Sequence, residues 1–270
     1  TIGQHDAGAA IMKNGELKFF IEEERLTRVK GSYGYLPIES ISKCLNFMNI
    51  TMKDVNTVVL PGETYKDIIT RTKKWLVHHF QYSPKVITIN HQLAHLYSSF
   101  FHSKFDEALC ISYDAYGDSL SGSIGIAKKN TGIKILKKIP AKNSLGIFYT
   151  AMTSYLGFKP GEDEFKVMGL APYGKNLIDL SFFLKPNSSP GFKLNHKYFR
   201  EVKNSSQYEQ GYSFELVKKL GPSRKKGQKL NQYYIDIAYS TQFYLERAAY
   251  SFLKYAKKIS NIDSNLCISG

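Results

Sequence analysis

Apolar and polar positions change period several times along the chain, and each change marks an element. "IGQHDAGAAIMKNGEL" and "KFFIEEERLTRVK" read as two strands paired about the turn signal Asn14-Gly15. "PIESISKCLNFMNI" places apolar residues at helical spacing, with Pro37 near its start. A short strand "NTVVLPG", a helix "YKDIITRTKKWLVHHF" and a strand "KVITIN" follow. "EALCISYDAYG", "SGSIGIAKK" and "GIKILKKIP" are three β-type runs separated by polar or glycine-containing turns, and "SLGIFYTAMTSYLGF" is an apolar helix. Residues 185–234 are rich in Lys, Asn, Ser and Gly with poor periodicity, which predicts an irregular excursion with short elements. Order returns in "IDIAYSTQFYLERAAYSFLKYAKKI", where Ile235, Ala238, Leu245, Ala249, Phe252 and Ala256 share one helix face. The final "NLCISG" is an apolar run entering glycine, a pattern that ordinarily leads on into a helix, so the sequence reads as a piece of a longer protein. Strands interleaved with helices in this order predict an α/β fold with mixed sheets.

Composition sharpens this picture. The 270 residues are 43% hydrophobic and include 19 Tyr and 17 Phe, enough apolar area for one large or two smaller cores. No apolar run reaches the roughly 18 residues of a membrane-spanning helix, and "TIGQHDAGAA" lacks the basic and apolar regions of a secretory signal. The expectation is therefore a cytoplasmic protein without a membrane. Cys44, Cys110 and Cys267 sit in apolar contexts without metal-type spacing and read as buried free thiols. The net charge of +14 raises the question of nucleic acid, but the lysine pairs are scattered along the chain. Scattered charge favours a solvated surface or an anionic small molecule over nucleic acid.

The chemistry concentrates in a few strings. In "ITINHQLAHLYSSFF", His91 and His95 on a helix lie about 40° apart around the axis and roughly 6 Å along it, within reach of one metal ion. Asn90 is placed to cap that helix. Such a pair alone is more often solvent-facing or satisfied in a core. Asp114 in "SYDAYGDSLSGSIG" strengthens it, because two imidazoles and a carboxylate at a strand end suit zinc or Fe(II) with open positions. The same string carries Gly117, Ser119, Ser121 and Gly122, small residues whose backbone can approach a phosphate; an ordinary hairpin with an Asx-turn at Asp114 is the competing reading. His5 and Asp6 in "GQHDAGAA" face whatever the neighbouring strand ends enclose, or else are incidental turn residues. "EEERLTRVKGSYG" sets Arg25, Arg28 and Lys30 beside three glutamates and can be a solvated, salt-bridged edge. "GEDEFKVMGLAPYG" predicts a shaped loop, from its glycine and proline density.

Taken in order, "GQHDAGAAIMKNGEL", "EEERLTRVKG", "HQLAHLYSSFFHSKFDEA", "SLGIFYTAMTSYLGF" and "KVMGLAPYG", then "LGPSR", "DIAYSTQFYLE" and "NLCISG", resemble the N-terminal region of the O-carbamoyltransferases of the nodulation and antibiotic-tailoring type. The resemblance spans nearly the whole chain. It implies an α/β fold of the actin, sugar-kinase and Hsp70 type, with ribonuclease-H-like lobes clasping a nucleotide. Residues 1–140 would form the first lobe, with both phosphate hairpins and the HxxxH helix, and 141–270 the start of a second, incomplete lobe. It implies a divalent metal, Fe(II) or Zn(II), on His91, His95 and Asp114, with a further aspartate beyond Gly270. Asp6, Gly117, Ser119, Ser121, Gly122 and Gly270 would contact nucleotide, with Gly270 opening the turn that holds adenosine.

The implied activity is transfer of a carbamoyl group to a hydroxyl of a small molecule such as a sugar or natural product. The donor is carbamoyl adenylate, made from carbamoyl phosphate and ATP by a separate C-terminal domain. His5 is then the candidate base for the acceptor hydroxyl, and Lys30 and Lys166 candidate anion contacts. The isolated segment is expected to be inactive, and a second copy of the chain is a candidate partner. Two alternatives stand beside this: a tRNA threonylcarbamoyl transferase-like protein of the same fold, and a non-catalytic paralogue acting as an assembly partner.

Overall fold

Asn14 and Gly15 both adopt left-handed backbone (φ 54° and 80°) and close a two-residue turn between β1 (Gly8–Lys13) and β2 (Glu16–Glu22), the geometry that matches the twist of paired strands. The structure is a computed structural model that describes residues 5–200 and 211–270. It divides into two compact units, 1–94 and 95–270.

In the first unit the hairpin is followed by α1 (Glu23–Thr27), α2 (Ile38–Met48), β3 (Thr57–Pro61), α3 (Ile68–Phe80) and β4 (Lys85–Ile89). β3 and β4 pair in parallel, with α3 as the crossover that such pairing requires. Leu45, Met52, Leu76 and Val86 form the core of this part. The hairpin rests on α2 through stacked Phe19 and Phe47 rings, 4.5 Å apart, and through the Cys44 thiol, which donates to the Ala9 carbonyl at 3.5 Å.

The string "EEER" is not wholly a solvated edge. Glu23 is buried, and its carboxylate accepts the backbone amides of Glu39 (3.1 Å) and Ser40 (2.8 Å) and the Ser40 hydroxyl. The helix α2 begins after Pro37, whose side chain offers no cap, so its first-turn amides would lack acceptors without this distant carboxylate.

The helix α4 (His91–His102) leads into the second unit, where β5 (Glu107–Gly117), β6 (Leu120–Lys128) and β7 (Gly132–Pro140) form an antiparallel meander. There follow α5 (Leu145–Tyr155), α6 (Glu164–Leu170), β8 (Leu184–Ser188), β9 (Gly191–Leu194), α7 (Phe214–Leu220), α8 (Gln232–Ser260) and β10 (Leu266–Ser269). β10 joins β5 in parallel, giving a mixed sheet in the order β10-β5-β6-β7. Alternate residues of β5 serve two cores. Leu109 and Ile111 pack with Phe148, Met152, Ile237 and Phe252 of α5 and α8, while Ala108 and Cys110 pack with Leu96 and Phe100 of α4. A strand buried on both faces reads as a continuous apolar run, which is what "ALCIS" is.

Two sequence expectations change here. "GEDEFKVMGLAPYG" contains α6 instead of being a loop throughout. Glu164 in its first turn accepts the Thr150 hydroxyl (2.8 Å) and the Gly161 amide (2.7 Å), which lets a seven-residue helix form between glycines. Within 185–234 the described residues include the hairpin β8–β9 and the helix α7, while 201–210 lie outside the described residues. On α8 the buried stripe runs through Tyr234, Ile237, Ala238, Thr241, Ala248 and Phe252, so Ile235, Leu245 and Ala249 lie at its half-buried margin. "LGPSR" proves structural: buried Arg224 donates from Nε to the Leu156 carbonyl at the end of α5 (2.5 Å), where a cation opposes the helix dipole, and its guanidinium lies 4.7 Å over the Phe158 ring. Among the described residues no helix is long and apolar enough to cross a membrane.

Candidate metal centre and neighbouring groups

The Asn90 side chain accepts the Leu93 amide at 3.3 Å, capping α4 as its sequence predicts, so the helix begins at His91 and carries His95 one turn later. On β5 the ladder to β6 is irregular between Tyr113 and Gly117, the stretch that carries Asp114. Asp114 Oδ1 accepts the Ala115 amide at 2.6 Å, and Oδ2 lies 3.5 Å from His95 Nε2. One ligand atom each from His91, His95 and Asp114 lies within 4.8 Å of the other two. Metal bonds of about 2.1 Å put neighbouring donors about 3.0–3.4 Å apart. His95 and Asp114 already stand near that spacing. Two imidazoles and one carboxylate, all half-buried, fit a first-row divalent ion with open positions.

The end of β10 abuts the same groups. Ser269 donates its hydroxyl to the His95 carbonyl at 2.8 Å. At Gly270 (φ 114°) a Cβ would stand 1.8 Å from the Tyr113 carbonyl oxygen, so only glycine fits beside the residue that precedes Asp114.

The β5–β6 turn is made by Asp118 and Ser119, both left-handed (φ 51° and 63°), between paired Gly117 and Leu120. Ser119 is exposed; Gly117, Ser121 and Gly122 are buried. The Ser121 hydroxyl donates to the Pro140 carbonyl at 3.0 Å, and a Cβ at Gly122 would meet the Ser112 carbonyl oxygen at 2.6 Å.

In the first unit His5, Asp6 and Lys30 share one corner. The Asp6 amide donates to the Gly31 carbonyl at 2.7 Å, the Gly31 amide donates to Glu24 Oε2 at 2.7 Å, and the His5 and Tyr33 rings are 5.9 Å apart. His5 Nδ1 is 2.7 Å from Asp6 Oδ2. Glu24, which anchors this corner, was not singled out by sequence reasoning; nothing in a run of three glutamates tells which one turns inward. Lys166 lies on α6 with its Nζ 2.8 Å from Asp163 Oδ1, and this hydrogen bond holds the Asp163 carboxyl below the usual carboxylate range.

Comparison with known proteins agrees with the sequence resemblance. Nodulation protein NolNO of Sinorhizobium fredii is 29% identical over 96% of this chain and 39% of its own length. An uncharacterised protein of Methanocaldococcus jannaschii is 33% identical over 80% of this chain and 38% of its own length, and nodulation protein NolO of Bradyrhizobium diazoefficiens is 32% identical over 67% and 31%. The chain thus spans less than half the length of these relatives. Among solved structures, HypF of T. kodakarensis overlays 99% of this chain and 44% of its own at a TM-score of 0.45 and 12% identity. Residues 60–270, which include His91, His95, Asp114 and Lys166, match the family described as carbamoyltransferase N-terminus, and the chain belongs to that family.

Proposed function

We propose that this chain is the N-terminal, acceptor-carbamoylating part of an ATP-dependent O-carbamoyltransferase. The observation that carries the proposal is the cluster of His91, His95 and Asp114 in a chain of the carbamoyltransferase family. In this reading the donor is carbamoyl adenylate, made from carbamoyl phosphate and ATP by a C-terminal domain, and the acceptor is a hydroxyl of a sugar or other natural product. The chain adopts lobes of the actin and Hsp70 type. Ser119 and Gly270, the exposed members of the set expected from the sequence in this unit, belong to its nucleotide-binding surface.

A divalent Fe(II) or Zn(II) held by His91, His95 and Asp114 supplies Lewis-acid stabilisation of charge on the donor's oxygens. The remaining chemistry falls to the chain itself. A carboxylate can only accept, so the 2.7 Å contact to Asp6 places a proton on Nδ1, and in the neutral imidazole Nε2 is then the nitrogen that accepts. His5 then takes the proton of the acceptor hydroxyl as its oxygen bonds to the carbamoyl carbon, and the bond from that carbon to the AMP phosphate oxygen breaks. AMP leaves with the electron pair. Lys30, held near His5 by the Gly31 contacts, and Lys166 serve as anion contacts.

The test is to supply the full-length protein with ATP, carbamoyl phosphate and a panel of hydroxylated acceptors, and to look for carbamoylated product by mass spectrometry alongside elemental analysis. The expected result is about one first-row metal per chain, lost in the His91→Ala, His95→Ala double variant together with product formation. A protein that takes up neither Fe(II) nor Zn(II), or whose double variant transfers carbamoyl at the parental rate, overturns the proposal.

A further inference from the structure

Asp114 lies in the stretch of β5 where the ladder to β6 is irregular, and the Ser144 side chain, fully buried at the start of α5, reaches it with one oxygen. Its hydroxyl donates to the Asp114 carbonyl at 2.9 Å and accepts the Ile147 amide at 3.0 Å, which is the N-cap bond of α5. Two residues on, Gly146 lets the helix backbone touch the same stretch: a Cβ there would lie 2.9 Å from the Ala115 α-carbon, 3.0 Å from its amide nitrogen and 3.3 Å from the Asp114 carbonyl oxygen. The support is rigid, because nine of the eleven residues of α5 are buried.

We propose that Ser144 is a positioning residue for Asp114, registering the carboxylate against the first turn of α5 so that Oδ2 faces His95. The inference rests on the reading of His91, His95 and Asp114 as a metal centre. It assigns a second task to a residue whose local sequence shows only a helix start. The Ser144 hydroxyl holds the Asp114 backbone carbonyl itself, and a shift of that backbone by a fraction of an ångström carries the carboxylate with it. Loss of the hydroxyl therefore loosens the ligand as well as uncapping the helix.

Co(II) alone, added to full-length apo-protein, is the probe, read by its visible absorption bands and its dissociation constant, with the thermal midpoint measured in parallel. Ser144→Ala should weaken Co(II) binding about tenfold or more and change the band shape, the size of effect seen when partners of a metal ligand are removed. Ser144→Thr keeps the hydroxyl and should restore both. Asn231→Ala removes the comparable cap of α8, where the side chain accepts the Tyr234 amide at 3.2 Å. It should lower the thermal midpoint and leave the Co(II) spectrum and affinity unchanged. If Ser144→Ala does not fold, Gly146→Ala, which pushes on Ala115 directly, should show the same spectral change. Parental Co(II) binding by a folded Ser144→Ala or Gly146→Ala overturns the inference, as does an equal spectral change in Asn231→Ala. Failure of the parent protein itself to bind Co(II) overturns the metal reading, and this inference falls with it.

Discussion

The Glu23 carboxylate meets the backbone amide of Ser40 at 2.8 Å although 17 residues separate them in sequence. Side-chain caps ordinarily come from the residue just before the helix; here the cap of α2 is supplied from α1, which fastens the corner carrying Lys30 to the rest of its unit. Glu23→Ala leaves the Glu39 and Ser40 amides and the Ser40 hydroxyl without this acceptor. It should destabilise the protein by about 2 kcal/mol, seen as a lower urea midpoint with unchanged slope. Glu23→Gln, which keeps one acceptor oxygen, should recover part of the loss. A change below about 0.5 kcal/mol in Glu23→Ala would show that the carboxylate is not the cap.

The cysteines give a second expectation. Cys110 and Cys267 stand opposite each other in the parallel ladder of β5 and β10, and burial, with the neighbouring Cys267 adding to it, pushes the Cys110 thiol up to about 12. Burial also raises Cys44. The thiolate is the nucleophile, so the folded protein at pH 8 should resist iodoacetamide, and all three cysteines should react once it is unfolded. Rapid modification of Cys110 in the native state, read by peptide mass spectrometry, would contradict the packing around it.

Much of the framework was legible because period and turn chemistry are local. Asn14-Gly15, the alternation about it, and the helical spacing of "PIESISKCLNFMNI" each specify their element without help from elsewhere. The helix α6 was not legible, since its stability comes from Glu164 reaching Thr150 on α5 while its seven residues include Gly169 and are closely followed by Pro172. The burial of Glu23 was hidden for the same reason: its partners lie on another helix. At the candidate centre, residue types pointed to His91, His95 and Asp114 and helix geometry joined the two histidines. The 3.5 Å approach of Asp114 to His95 depends on a sheet irregularity that no spacing rule announces. Nothing in the sequence joined His5 and Asp6 to Lys30, because the Asp6–Gly31 and Glu24–Gly31 bonds join segments with no shared periodicity.

The parallel pairing of β10 with β5 has a consequence for how the protein comes into being. Its neighbours β5, β6 and β7 close over short turns and can pair as soon as they are made, whereas Leu266 reaches Leu109 only after about 150 further residues have been synthesised. At ribosomal speeds of about 5–20 residues per second, the inner strand waits on the order of ten seconds with the edge of an apolar run uncovered. Pulse-labelled hydrogen exchange during refolding should show the amides of β6 and β7 protected before those of β10, and simultaneous protection would mean that the sheet forms in one step. An uncovered edge of "LCIS" is a template for pairing with another chain, so the nascent protein is most exposed to aggregation during that interval.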